Sequence, residues 1–226
     1  LMPSTVPIRF VAGSRKLLEV PRRLHTISCG LTDLVAGTLP DLPAAEDGVE
    51  GYRILSAPES AVATIRARYP DHVLGGLHSY RRYYIDMAGS YEAYLARFSS
   101  KTRSTLGRKR QRLAAQCGGA IDMREYRSPA ELEQFLAAAL PLSRLTYQAR
   151  LLDAGLPETP EARAEMMRLA DAGRLRAYLL FIADRPVSYL YLPVDRGVII
   201  YAFLGYDPDC AALSPGTVLQ LAALER

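Results

Sequence analysis

The sequence predicts an α+β fold in which a mixed β-sheet is flanked by helices. Two observations favour this class. Strong helix-start signals recur between residues 90 and 160, and three strand-like runs follow one another after residue 173. With 226 residues, of which 49% are hydrophobic and 23% charged, the chain is long enough for one large domain or two small ones with a sizeable core.

The first ninety residues carry the weakest signals. Five prolines interrupt residues 1–50, and residues 31–39 alone are predicted there as a short helix. A strand is predicted over residues 52–55 and a helix over residues 59–69. The aromatic and β-branched residues at positions 73–74 and 83–87 predict two further strands.

The middle of the chain is rich in helix caps. Ser90 is a predicted N-cap, and Ser99 or Ser100 caps a second helix that ends near residue 116, before two glycines. Residues 121–126 alternate as a strand. Ser128 and Thr159 are each followed by proline and then by an acidic residue, which predicts two more helices, the second ending at residue 173.

The spacing of apolar residues changes after that helix from the helical period to the alternation of strands. Residues 174–183, 187–194 and 198–204 read as strands joined by short turns, which is an antiparallel meander. An irregular loop then leads to a Ser-Pro-Gly-Thr helix start at residues 214–217.

Positive charge is concentrated in residues 91–112. After Glu92 this block has no acid and seven basic residues, in a chain of net charge +4. Four interpretations stay open. The block is the solvated face of an amphipathic helix, a surface for acyl-donor phosphates or an anionic acceptor, a nucleic-acid surface, or a membrane-surface contact. No aromatic residue follows Phe98 within the block, so base stacking is not indicated.

Several classes of site lack their signals. Three widely spaced cysteines form no CxxC pair, which favours a reducing cytoplasmic setting. No apolar run approaches the roughly 20 residues of a membrane-spanning helix. The three histidines lack metal-ligand spacing, so no metal is expected. P-loop, Rossmann and hydrolase-elbow motifs are not found.

The junction at residues 201–219 is the best candidate for chemistry. A strand, a loop and a helix N-terminus follow one another, and free N–H groups at a helix N-terminus favour phosphate or pyrophosphate. Gly216 would let a ligand approach the backbone, and Ser214 and Thr217 offer hydroxyl groups. An ordinary helix cap explains the same residues.

Together with the meander, this junction resembles the acyl-CoA site of the GNAT N-acetyltransferase superfamily. The closer resemblance is to its BioF2-like or CelD-like subgroup, related to the FemAB-type transferases. It is carried by Tyr-Ile-Asp-Met at residues 84–87, SKTRSTLGRKRQRL at residues 100–113, Gly-Tyr-Asp at residues 205–207 and Leu-Ser-Pro-Gly at residues 213–216. The usual Gln/Arg-x-x-Gly-x-Gly/Ala loop has its nearest match at residues 212–217, without the leading Gln or Arg and without one glycine.

The resemblance implies two GNAT-like halves. The first, residues 1–119, includes the basic helix. The second, residues 120–226, would bind acyl-CoA and would need further strands after the last helix. The implied activity is transfer of an acyl group from a CoA thioester to a small, amino-sugar or lipid-type amine by direct attack. A FemAB-like transferase that uses aminoacyl-tRNA and a non-catalytic GNAT-like binding protein are the alternatives.

The resemblance also suggests site residues. The candidates for proton transfer are Tyr201, Tyr206 and Asp207. The acyl-CoA site comprises Phe203, Leu204, Gly205, Ser214, Gly216 and Thr217. Substrate contacts are expected from Asp86, Arg103, Lys109, Tyr189 and Tyr191. The two strand tyrosines are also candidates for the core, and Asp86 is also a candidate cap near Ser90.

Overall fold

The computed structural model describes residues 3–13, 15–44, 46–146 and 155–226. The chain divides into two compact units, Leu1–Tyr84 and Ile85–Arg226. The basic block therefore belongs to the second unit. The predicted α+β class is confirmed, whereas two similar halves that meet at residue 119 remain a prediction.

The first unit is built on a three-stranded mixed sheet. Its strands are β1 (Ser4–Ala12), β2 (Arg15–Ser28) and β3 (Gly51–Leu55), in the order β1-β2-β3. β1 and β2 are antiparallel, and β2 and β3 are parallel. The short helices α1 (Leu31–Ala36) and α2 (Val62–Arg68) accompany the sheet, close to the two helices predicted.

The β1–β2 hairpin was not predicted, because its prolines read as strand breakers. Pro7 and Pro21 lie directly opposite each other in the ladder. They are tolerated since β1 is an edge strand and β3 joins β2 only from Leu24 onward, so no second neighbour needs the missing N–H groups.

The strands predicted at residues 73–74 and 83–87 are wrong. Both segments have no regular secondary structure, and Val73 and Tyr83 are 98% and 87% exposed. Strand-forming side chains make a strand only where a neighbouring strand accepts the backbone hydrogen bonds. Among the described residues no strand pairs with either segment.

The helices of the second unit follow their predicted caps. They are α3 (Tyr91–Ala96), α4 (Ser100–Gln116), α5 (Pro129–Leu145), α6 (Pro160–Asp171) and α7 (Pro215–Leu224). Side-chain oxygens of Ser90, Ser99, Ser128 and Thr159 accept N–H hydrogen bonds at the first four helix starts. A short 3-10 helix, Pro208–Leu213, precedes α7 where a loop was predicted.

The second sheet is antiparallel. It contains β4 (Asp122–Tyr126), β5 (Leu175–Ile182), β6 (Arg185–Asp195) and β8 (Phe203–Tyr206), in the order β4-β5-β6-β8, and the short β7 (Val198–Ile199) pairs with the end of β6. The third predicted strand is therefore divided. Val194 pairs with Ile199 and Tyr191 with Phe203, so residues 200–202 lie opposite only residues 192–193 of β6. The one extra residue in the divided strand interrupts the ladder.

Helices cover both faces of this sheet. Leu179 on β5 packs in a cluster with Phe135 of α5, whereas its neighbour Leu180 packs with Leu113 of α4 and Leu219 of α7. Successive strand residues point to opposite faces, so the sheet is the middle layer, with α5 and α6 on one side and α4 and α7 on the other.

Candidate functional site

β8 is an edge strand. It pairs with β6 on one side, and no strand of the described residues pairs with its other side. The predicted donor-binding residues Phe203, Leu204 and Gly205 all lie on it. Its free edge carries backbone N–H and C=O groups that an extended ligand can join as an additional strand does.

Gly205 has no room for a side chain, because the ring of Tyr189 lies against it. A Cβ atom at this position would lie 2.3 Å from Cε1 of Tyr189, its partner across the ladder. The Tyr189 hydroxyl donates to Oγ of Ser143 on α5 at 3.0 Å, and that ring is 1% exposed. Glycine is therefore needed here to let β8 lie flat over a buried tyrosine, whatever ligand binds above it.

The first turn of α7 packs against β8. Ser214, at the N-cap, has the left-handed φ of +54° that favours glycine, and Pro215 follows it. A Cβ at Gly216 would lie 3.0 Å from Leu204 and 3.3 Å from Tyr206. Gly216 is buried, so its lack of a side chain serves this close approach of helix and strand.

The same turn has N–H donors that find no partner among the described residues. Val218 N–H bonds to the Ser214 carbonyl, whereas the N–H groups of Gly216 and Thr217 bond to no group that the structure describes. The open edge of β8 thus leads directly to free N–H groups at the start of α7.

The two tyrosines predicted for proton transfer lie at opposite ends of β8. Tyr201 precedes the strand and is 53% exposed, and Tyr206 ends it and is 40% exposed. Partial burial raises the pKa of Tyr201 above its usual value, which makes its phenol a weaker acid. Tyr206 lies against Gly216, which brings it to the start of α7.

Asp207 has a structural environment. Its buried carboxylate accepts the N–H of Asp209 at 3.0 Å and a guanidinium hydrogen bond from Arg185 at 2.8 Å. Arg185 also contacts Sγ of Cys210 at 3.3 Å. Both carboxylate oxygens therefore hold the loop before α7, which favours a supporting role over proton transfer.

Tyr189 and Tyr191 lie in the core under β6 and β8. Both are buried in the cluster that includes Phe135, and burial raises the pKa of Tyr191 to about 12. Burial also raises the pKa of Tyr189, although its hydrogen bond to Ser143 opposes the shift. A substrate role for these two tyrosines stays a prediction, and their positions favour packing.

The remaining predicted substrate residues are dispersed. The carboxylate of exposed Asp86 accepts the N–H of Ala88 at 3.0 Å, and so stabilises a local turn. Arg103 donates to the Phe98 carbonyl at 2.7 Å, near the start of α4. Lys109 is half-buried, on the side of α4 that carries Leu113.

Two features of the site had weak or no sequence signals. Ser143 lies far from β8 in sequence, and only the fold brings it to Tyr189. Arg112 of α4 donates to the Ala212 carbonyl at 3.3 Å, which places α4 beside the loop that leads into α7. The only sequence signal for Arg112 is the lack of acidic residues around it.

Within the described ranges, no three or more His, Cys, Asp or Glu side chains gather as metal ligands would. No helix in that part of the chain is both long enough and apolar enough to cross a membrane.

Comparison with known proteins gives a family. The sequence profile of the acetyltransferase (GNAT) domain matches residues 100–226, more than half of the chain. A search of curated proteins found no match. The matched region begins with α4 and contains the whole of the second sheet and α7. The chain therefore belongs to the GNAT acetyltransferases, in their BioF2-like branch.

Proposed function

We propose that this protein transfers an acyl group from a CoA thioester to an amine, by direct attack of the amine on the thioester carbonyl. The observation that carries the proposal is the open edge of β8, which leads into the unused N–H groups of Gly216 and Thr217. Membership of the GNAT acetyltransferases supports an acyl-CoA co-substrate. The acceptor is a small, amino-sugar or lipid-type amine.

The two parts of the junction suit the two parts of the donor. The amide groups of a pantetheine arm match the backbone groups along an exposed strand edge. A pyrophosphate suits the N-terminus of α7, where the N–H groups of Gly216 and Thr217 and the helix dipole favour negative charge. The hydroxyl of Thr217 is a further donor there.

The chemistry needs three kinds of assistance. The amine must attack as the neutral species, the carbonyl oxygen gains negative charge, and the sulfur leaves as a thiolate that takes up a proton. A backbone N–H within residues 203–205 polarises the carbonyl. A C–N bond forms and the C–S bond breaks, with no covalent intermediate on the enzyme. The attacking nitrogen loses one proton to water and the sulfur gains one, so the products are an amide and free CoA thiol.

Tyr206 is the proposed acid for the leaving thiolate. It is partly exposed, it ends β8 and it lies against the start of α7, where the donor is expected. Tyr201, just before the other end of β8, is the second candidate. Asp207 supports the site through Arg185 and Asp209.

The test combines donor binding with turnover. Titration calorimetry with acetyl-CoA and long-chain acyl-CoA should give saturable binding, and release of free thiol should follow addition of an amine acceptor. Tyr206→Phe should lower kcat by about 10²-fold or more and leave KM for acyl-CoA nearly unchanged. Tyr83→Phe, at an exposed tyrosine of the first unit, is the control and should leave kcat unchanged.

The other outcomes separate the alternatives. If no CoA thioester binds, the proposal is overturned. Salt-dependent binding of tRNA in its place would indicate an aminoacyl-tRNA transferase. Binding of acyl-CoA without turnover across an amine panel would indicate a binding protein. Full activity of both Tyr206→Phe and Tyr201→Phe would rule out a tyrosine acid.

A further inference from the structure

The arginines of the second unit are neutralised unequally. Those that follow α4 in the described residues contact carboxylates, except Arg176, which donates to backbone carbonyls. The ion-paired set is Arg124, Arg127, Arg144, Arg163, Arg168, Arg174, Arg185, Arg196 and Arg226. On α4, Arg110 contacts Glu225, and within the described part of the chain no other cation of this helix contacts a carboxylate.

The other contacts of the α4 arginines are neutral. Arg108 donates to the Thr105 hydroxyl and Arg112 to the Ala212 carbonyl. Such acceptors orient a guanidinium but leave its charge uncompensated. The helix supplies no acid, because none occurs between Glu92 and Asp122.

Three of these cations form a line. Lys101, Arg108 and Arg112 are exposed and lie seven and four residues apart, which places them on one side of the helix. At about 1.5 Å per residue, this cationic stripe is about 16 Å long. Leu113, which is fully buried, lies about 100° around the helix from Arg112 and points to the core.

The stripe ends beside the proposed donor site. Nη1 of Arg112 lies 3.3 Å from the carbonyl oxygen of Ala212, two residues before the N-cap of α7. The loop at residues 212–217 has no basic residue of its own. Arg112 therefore brings a positive charge to a loop whose sequence lacks one.

We infer that the cationic stripe of α4 binds the phosphates at the nucleotide end of CoA. The inference rests on the proposed function. Arg112 would meet the phosphates nearest the start of α7, and Arg108, one turn away, would meet the outer phosphate. The donor is then a CoA thioester rather than a thioester of pantetheine on a carrier protein.

The shape of the stripe favours a compact polyphosphate over a nucleic acid or a membrane. Three cations within about 16 Å suit a few closely spaced phosphates. α4 has no aromatic residue for stacking on a base and no large apolar residue on the striped side for insertion into lipid. Bidentate guanidinium groups are well suited to phosphate oxygens.

The experiment compares two ligands on two variants of the full chain. CoA carries the nucleotide, whereas 4′-phosphopantetheine lacks it. The stripe variant is Arg108→Gln with Arg112→Gln. The matched control is Arg97→Gln with Arg168→Gln, which removes the same charge from exposed arginines outside the stripe. Dissociation constants come from titration calorimetry at fixed salt, after circular dichroism has shown that both variants are folded.

We expect the wild type and the control to bind CoA at least tenfold more tightly than 4′-phosphopantetheine, and the stripe variant to lose most of that preference.

Equal loss in the control would mean that net charge is responsible and would overturn the inference. Unchanged CoA preference in the stripe variant would overturn it too, while leaving the proposed function intact. Failure of every protein to bind CoA would overturn both. Loss of tRNA binding in the stripe variant with CoA binding unchanged would assign the stripe to nucleic acid instead.

Discussion

Helices α4 and α5 are both 17 residues long and both begin at a serine cap, yet they bury very different surfaces. α5 buries six residues, among them Phe135 and Ser143, between the sheet and α6. α4 buries only Leu113. The comparison separates two uses of a helix. Packing against the sheet accounts for the sequence of α5, whereas among the cations of α4 only Arg110 contacts a carboxylate of the described residues.

The largest expected effect is at the centre of α5. Phe135→Ala should lower the free energy of unfolding by about 3–5 kcal/mol, because Phe135 is fully buried against Tyr126 and Tyr191 and the substitution leaves a cavity. Urea denaturation monitored by circular dichroism measures the change. Gln134→Ala, at the exposed neighbour, should change it by less than about 0.5 kcal/mol. Equal effects at the two positions would mean that α5 is not packed as described.

A smaller effect is expected where α5 meets the strand under the candidate site. Tyr189→Phe removes the hydroxyl that donates to Ser143 and should cost about 1 kcal/mol. Oγ of Ser143 still accepts the hydrogen bond from the Leu156 N–H, so it keeps one partner in the variant.

Tyr191→Phe is the control for that prediction. Tyr191 is equally buried, but its hydroxyl bonds to no residue that the structure describes, so the substitution should be nearly neutral. A larger loss for Tyr191→Phe than for Tyr189→Phe would show that the contact with Ser143 does not hold α5 against β6.

The cap of α5 gives a pH-dependent prediction. The carboxylate of Glu131 accepts the N–H groups of Ser128 and Arg127, and these hydrogen bonds lower its pKa below the usual value. A carboxyl whose pKa is lower in the folded state stabilises the fold above the unfolded pKa, about 4.3 for glutamate, and loses that effect as pH falls through the folded pKa.

Glu131→Gln should therefore lower the melting temperature at pH 7, and its difference from the wild type should shrink below about pH 4, near the unfolded pKa. Scanning calorimetry over pH 3–7 makes the measurement. Glu161→Gln, in the first turn of α6, serves as the comparison because its exposed carboxylate accepts no hydrogen bond within the described residues. A pH-independent difference for Glu131→Gln would show that charge plays no part in the cap.

These caps also show what the sequence can predict. A serine or threonine followed by proline or glutamate specifies a helix start locally, so the starts of α5 and α6 are predictable without their packing partners. The strand predicted at residues 83–87 failed because pairing depends on a distant partner. The role of Gly205 is non-local for the same reason, since the ring that excludes a side chain there belongs to Tyr189 on another strand.

The smallest effect on stability is expected on α4, and it decides whether the comparison of the two helices holds. Arg108 and Arg112 contact only neutral acceptors, so Arg108→Gln and Arg112→Gln should each change the free energy of unfolding by less than about 0.5 kcal/mol. Arg110→Gln breaks the exposed ion pair with Glu225 and should cost no more than about 1 kcal/mol. Urea denaturation of the three variants tests this.

If either stripe substitution destabilised the protein more than Arg110→Gln does, these arginines would be part of the packing of α4 on α7. Packing would then explain the two arginines without a phosphate-bearing ligand. If all three variants unfold like the wild type, α4 is held by Leu113 and its apolar neighbours alone, and its cations are available for binding.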